Sequence, residues 1–253
     1  EKRNILSLGI LGILIGFQLQ RAHVQIAYYT WMLIGLYTLF YIVKSIYHKD
    51  DIFFSKSNPL YLLFTALLLG IGLAASIYLP AISYIPYSTR ASVGGGMGID
   101  QAMGWSFPPI ESIVFLLPSF FGFGGYTYWG LIEFTDYPQY MGVVVLIFAI
   151  YSCFSSKKIK YFLITTLLFA LLISFGRYFE SFYSIFYNFF PFFNKFRVPM
   201  YILIIFQFSS CVLSGIGLNH YLKSTDNTKD ISKVIGSIFS LTCILYLLKY
   251  QLI

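Results

Sequence analysis

Apolar residues run along this chain in long blocks separated by short polar breaks. Seven blocks meet or approach the roughly 20 residues that a helix needs to cross a bilayer core about 30 Å thick. They are 5–18, 26–46, 59–80, 138–155, 160–176, 198–222 and 234–252. The first and fifth are short. The blocks are too long and continuous for barrel strands, and an open sheet edge would leave backbone groups unpaired in lipid. The pattern predicts an all-α polytopic bundle of about seven spans.

Two stretches break the pattern. Residues 81–137 form a long connection rich in aromatics and poor in charge, which argues against a disordered linker. Residues 177–197 form a second segment, whose Phe179, Phe182, Phe186, Phe189 and Phe190 make an aromatic stripe of interfacial type. The domain reading is one transmembrane domain over 1–253, with 81–137 as an extracytoplasmic loop bearing an interfacial helix and 177–197 as a second outer interfacial segment.

Composition agrees. The chain is 58% hydrophobic and 11% charged, with 27 Phe and 22 Tyr, whereas a soluble domain carries about 25% charged residues. Three scattered Cys make no disulfide framework. The net charge of +7 comes from too few and too dispersed cations for nucleic-acid tracking. With the N-terminus inside, 11 cations fall on cytoplasmic loops and 6 outside, as the positive-inside rule requires. The outside set is Arg21, Arg90, Arg177, Lys195, Arg197 and Lys249, mostly Arg, while the inside set is almost entirely Lys. Guanidinium grips phosphate or carboxylate in a planar fork. Pairing with the outside acids Asp100, Glu111, Glu133, Asp136 and Glu180 is the competing use of these Arg residues. The inside Lys residues read as solvated topology anchors. The chain starts at Glu1 and enters a span almost at once, which reads as a mid-chain start.

Within 81–137, Gly94–Gly98 after Tyr87 and Arg90 reads either as a hinge or as a cradle for an anion. Trp105-Ser106-Phe107-Pro108-Pro109-Ile110-Glu111 predicts a short helix over 110–117, capped near Ser106, with Pro109 in its first turn and Glu111 at its positive end. Phe115, Leu116 and Leu117 would then lie along the membrane surface. Glu111 reads as a helix-dipole carboxylate or as a general base. Tyr128 and Trp129 read as an interfacial belt or as a platform for sugar faces, and Gly130 suggests tight backbone packing. Gln18, Arg21 and Gln25 are spaced to share one helical face. Asn194-Lys195-Phe196-Arg197-Val198-Pro199 puts two cations at the start of the sixth span, either as a phosphate site or as a snorkelling pair. His220 reads as a helix-end residue. No set of His, Cys, Asp and Glu has metal-ligand spacing.

These residues resemble the YfhO-like family of bacterial membrane proteins, of the GT-C glycosyltransferase type. The similar elements are 21–37, LPAISYIPYSTR (79–90), WSFPPIESIVFLLPSFFGF (105–123), YWG (128–130) with YPQYMGVVVL (137–146), and FRVPMYILI (196–204) with SGIGL (214–218). They occur in family order. The resemblance implies a GT-C-like fold in the bacterial cytoplasmic membrane. It also implies transfer of a sugar from a polyprenyl-phosphate donor to a cell-envelope glycopolymer or glycan acceptor on the outer face. The implied partners are membrane lipids, that donor and that acceptor. The one cofactor it suggests is a divalent cation, which no ligand spacing indicates. On this reading Arg21, Arg90, Lys195 and Arg197 hold the phosphate. Tyr87, Ser106, Tyr128 and Trp129 hold the sugar or lipid, and Glu111 orients a hydroxyl, with the principal base upstream of residue 1. The competing classes are a transporter or flippase for a lipid-linked intermediate, and a non-catalytic scaffold.

Overall fold

A computed structural model describes residues 5–21, 23–48, 59–84, 87, 98–122, 125–132, 139–223 and 228–252. The described residues are helical or irregular, with no strand. The chain divides into two compact units, Glu1–Met97 and Gly98–Ile253.

The first unit holds α1 (Ile5–Gln20), α2 (Val24–His48) and α3 (Pro59–Tyr84). Helix α1 lies against α3 along a stripe of small residues. A Cβ on Gly70 would overlap the Ile15 side chain, and one on Gly16 would come within 2.9 Å of Leu73 Cβ. Small residues at such a seam let the two backbones approach closely. One end of the pair is tied by Gln20 Nε2 donating to the Leu73 carbonyl at 2.9 Å and Tyr78 donating to the Leu19 carbonyl at 3.0 Å. The chain breaks between Gln20 and Val24. Gln18 and Gln25 therefore sit on different helices, and the common face predicted for Gln18, Arg21 and Gln25 does not form. Gln25 instead donates to the Tyr29 hydroxyl at 3.0 Å within α2.

The second unit contains a short α4 (Ile99–Ala102), α5 (Val143–Tyr151), α6 (Ile159–Ser174), α7 (Glu180–Phe189), α8 (Leu203–Lys223) and α9 (Thr228–Leu252). Helix α8 is central. It meets α5 where Gly217 abuts the Phe148 carbonyl, so closely that a Cβ would overlap it. It meets α6 where Thr166 Oγ1 and Ser209 Oγ lie 3.2 Å apart in a buried hydrogen bond. Gln207, another of the polar groups inside the sixth block, donates to Gln139 at 3.2 Å. These polar groups join segments of the fold. Ala149, Leu163 and Leu213 fill the seam between α5, α6 and α8. Ile231 and Val234 bring α9 onto Tyr151, and His220 lies in the last turn of α8.

All seven predicted blocks are helical, but their lengths differ. Val24–Tyr47, Tyr61–Tyr84, Pro199–Lys223 and Lys229–Lys249 are long and apolar enough to cross a membrane. A fifth crossing is available if Ile159–Ser174 and Gly176–Phe189, bent by 107° at their junction, count as one broken span. Leu6–Gln20 and Val143–Phe154 are shorter apolar helices. One inside cation departs from its expected role as a solvated anchor. Lys160 is buried, and its ammonium donates to the carbonyls of Cys153 and Ser155 at the end of the preceding helix, where free carbonyls attract a cation.

Candidate functional site

Residues 98–122 and 125–132 fold onto the α6–α8 end of the second unit. Phe107 N–H donates to the Ser174 carbonyl at 2.8 Å. Its ring stacks on Phe175 at 6.5 Å and 7° and leans on Phe115 at 5.4 Å. Phe115 in turn stacks on Phe206 of α8 at 4.5 Å. The predicted short helix exists as a 3-10 turn, Pro109–Phe115. Pro109 is in its first turn, as predicted, but the capping residue is Pro108 and no side chain caps it, so Ser106 is not the cap. Phe115 is buried rather than laid on a membrane surface, because Phe107 and Phe206 form a closed aromatic pocket around it.

Ser106 has a different task. Its buried hydroxyl donates to the Met103 carbonyl at 2.7 Å and accepts the Arg177 N–H at 2.9 Å. These two bonds make Ser106 a structural tie, a role beside the expected sugar contact. The tie falls where α6 bends away. Gly176, at φ +44°, has no room for a Cβ because Ser106 Oγ occupies that space. A glycine there meets both the left-handed backbone and the close approach.

Glu111 is 1% exposed. Its Oε1 accepts hydrogen bonds from the Tyr128 hydroxyl at 2.7 Å, Leu131 N–H at 2.6 Å and Ile132 N–H at 3.0 Å. Tyr128 also accepts from Ile132 N–H at 2.8 Å. Gly130 is required here, since a Cβ would strike the Tyr128 ring. Burial first, then donation to Glu111, pushes the Tyr128 phenol above its ordinary value, against the lowering by Ile132 N–H. Carboxylate and phenol thus clamp the loop 128–132. The three donors on Oε1 give Glu111 a structural role in holding this loop, beside the general-base expectation. Tyr128 turns its hydroxyl toward Glu111. Trp129 packs on Phe121 at 4.8 Å and Phe120 at 6.0 Å.

The clamp and the tie border one small, open hollow, lined by Trp105, Ser106, Leu131, Arg177 and Tyr178. The Arg197 guanidinium lies over the Trp105 ring, 4.5 Å from its centroid. Its stem passes the side-chain-free face of Gly104, where a Cβ would be 3.7 Å from Arg197 Cγ. Trp105 and Val198 both have positive φ, 56° and 67°. For a β-branched residue such a φ is strained, and strain of this kind collects at functional sites. Arg177 and Arg197 are exposed, and neither forms an ion pair with Asp100, Glu111 or Glu180. Among the described residues the one ion pair is Lys233–Asp230.

The structure thus brings together Ser106, Glu111, Tyr128 and Arg197 of the predicted set. Lys195 is exposed at the end of a separate turn, Phe193–Lys195. Arg21 and Tyr87 belong to the first unit, where Tyr87 is exposed and its ring is 6.4 Å from Tyr84. Arg90 lies outside the described residues, as do Gly94–Met97, Glu133 and Asp136. Arg177, Trp105 and Tyr178 were absent from the predicted set. The signal for them was Gly176 before Arg177 at the end of an apolar block. Among the described residues no three of His, Cys, Asp and Glu gather as a metal-binding group. A scan against protein-family models, a search of curated proteins and a search of solved structures each return no match.

Proposed function

We propose that this chain is a membrane-embedded glycosyltransferase of GT-C type, or the C-terminal part of one. It moves a sugar from a polyprenyl-phosphate donor to a cell-envelope acceptor on the outer face of the bacterial membrane. All seven apolar helices span or enter the bilayer in this reading, and the hollow faces outward. The observation that carries it is the pair of guanidinium groups, Arg177 lining the hollow and Arg197 on the ring of Trp105, neither paired with a nearby described acid.

Arginine binds phosphate through a bidentate fork, and an aromatic ring offers an apolar face to a sugar while polar groups bind its hydroxyls. In the transfer, the bond from the anomeric carbon to the donor phosphate oxygen breaks. A bond to the acceptor oxygen forms, and the proton of the acceptor hydroxyl passes to the departing phosphate, which leaves as the polyprenyl monophosphate. Negative charge grows on the departing phosphate, and preorganised cations act most strongly there. Arg177 and Arg197 bind that phosphate, while Trp105 and Tyr178 flank the sugar. Glu111 positions Leu131, the hollow's remaining wall, through the clamp.

The test is transfer from a panel of polyprenyl-phosphate hexoses and N-acetylhexosamines by the protein in proteoliposomes. Arg177→Ala and Arg197→Ala are expected to raise the donor KM and lower kcat by tenfold or more. Absence of transfer across the panel by folded protein sinks the enzyme reading. Turnover unchanged in both variants sinks the phosphate assignment alone.

A further inference from the structure

Helix α7 leaves α6 at 107°. If α6 crosses the bilayer, α7 runs close to the membrane plane. Its inner face is accounted for: Phe182 and Phe186 meet Phe169 at 6.5 and 5.2 Å, and Tyr183 is buried against Phe193 at 5.3 Å. Its outer side is apolar as well. Ile185 is 50% exposed, Phe189 83% and Phe192 70%. Two bare phenyl groups at the tip of a helix are costly in water, at roughly 25 cal/mol per Å² of apolar surface. The segment 177–197 carries three cations, Arg177, Lys195 and Arg197, against the single acid Glu180. Lys195 is exposed just beyond the tip. Apolar wedge, adjoining positive charge and in-plane geometry together match the boundary of an anionic bilayer, where amphipathic helices bury an apolar face to about 5–10 Å.

We propose that α7 and its tip are an anionic-lipid-binding wedge, with Phe189 and Phe192 inserted at headgroup level and Lys195 against lipid phosphate. This does not rest on the glycosyltransferase reading. It concerns a face whose occupancy is read without any turnover.

The test uses the full chain with Cys153, Cys211 and Cys243 changed to Ser. A fluorophore is placed at Phe189→Cys, at Phe192→Cys as a second position, and at Lys233→Cys as an aqueous reference. The protein is reconstituted in phosphatidylcholine vesicles with and without phosphatidylglycerol. Labels at 189 or 192 are expected to be quenched severalfold more by headgroup-level nitroxide lipids than by iodide, with the reverse at 233. Phosphatidylglycerol is expected to deepen the contrast, and Lys195→Gln to remove that gain. Dominant iodide quenching at 189 and 192 overturns the proposal. So does protection from both quenchers, which means that protein covers the face. Stronger quenching by bilayer-centre nitroxides also overturns it, because α7 is then re-entrant. Equal quenching on both vesicle types overturns the anionic preference.

Discussion

The guanidinium of Arg197 lies 4.5 Å from the centre of the Trp105 ring. The two residues come from distant parts of the second unit, and each adjoins or adopts a left-handed backbone: Trp105 itself at φ 56°, and Val198 beside Arg197 at φ 67°. An exposed cation–π contact is worth about 0.5–1 kcal/mol. Arg197→Ala should therefore lower unfolding free energy by no more than ~1 kcal/mol. It should weaken binding of a polyprenyl-phosphate sugar by roughly 10- to 100-fold, the scale of a lost charge-assisted hydrogen bond. Arg197→Lys keeps the charge and loses the fork, so it should recover only part of that affinity. Titration of Trp fluorescence with the lipid, beside a chemical melt, separates the two effects.

Glu111 offers a sharper separation of structure from chemistry. Glu111→Ala leaves the Leu131 N–H and the Tyr128 hydroxyl short of their acceptor, while Ile132 N–H keeps only Tyr128. The cost should be about 3 kcal/mol, given roughly 1–3 kcal/mol for each buried group left unsatisfied. Glu111→Gln keeps a carbonyl oxygen at the same place and should cost about 1 kcal/mol. If Glu111 positions the hollow, Gln should keep sugar transfer within tenfold of the wild type and move KM more than kcat. A loss of kcat by several orders in Glu111→Gln, with stability preserved, would support the general-base role.

The phenol of Tyr128 adds a dependence on pH. Its folded value is raised, chiefly by burial, so the folded state keeps the proton after the unfolded chain has lost it at about pH 10. The associated stability is complete below that pH and declines as pH rises toward the folded value. Tyr128→Phe should flatten the fall in unfolding midpoint above about pH 10 relative to wild type. Parallel slopes in the two proteins would contradict the linkage.

Gly176 and Ser106 should behave as one unit. Alanine at 176 needs a left-handed φ of 44° and a Cβ in the space of Ser106 Oγ. Gly176→Ala should cost about 2–4 kcal/mol, combining about 1 kcal/mol or more of backbone strain with overpacking. Ser106→Ala removes the colliding oxygen and also the acceptor of Arg177 N–H. The double variant should be more stable than the sum of the single ones by about 1 kcal/mol, as expected for residues in contact. Additive losses measured by chemical denaturation would show that the two do not meet.

Much of this architecture is written in the block pattern. Seven apolar blocks became seven helices because, in such runs, internal hydrogen bonding is the one way to satisfy the backbone. Pro109 and Pro199 marked first turns because they lack an N–H that those turns would leave free. Gly130 announced close packing. The partners of the polar groups were less legible. Glu111 looked like a free acid because its three donors come from residues 128–132, and no local spacing encodes that return of the chain. Ser106 resembled a cap for the helix after it, and its real partner, Arg177, lies 71 positions away. Phe115 read as interfacial because periodicity distinguishes a buried face from a polar one and says nothing about which apolar surface covers it.

The first unit makes its own prediction, independent of any ligand. Gly12, Gly16 and Gly70 allow α1 and α3 to approach until side chains of one touch the backbone of the other. A Cβ at Gly70 has no open space, because Ile15, itself 4% exposed, is already there. Gly70→Leu should separate the helices, break the Gln20–Leu73 and Tyr78–Leu19 bonds, and cost at least the ~1–3 kcal/mol typical of overpacking. Gly72→Leu is the matched control: it lies on the same helix with nothing within 4 Å of a Cβ. A nitroxide pair at Phe17→Cys and Ile77→Cys, on a background with the native Cys changed to Ser, reads the α1–α3 separation directly. The distance should lengthen in Gly70→Leu and stay at the wild-type value in Gly72→Leu; lengthening in both would assign the effect to side-chain bulk in the bilayer and remove the role of the glycine contact.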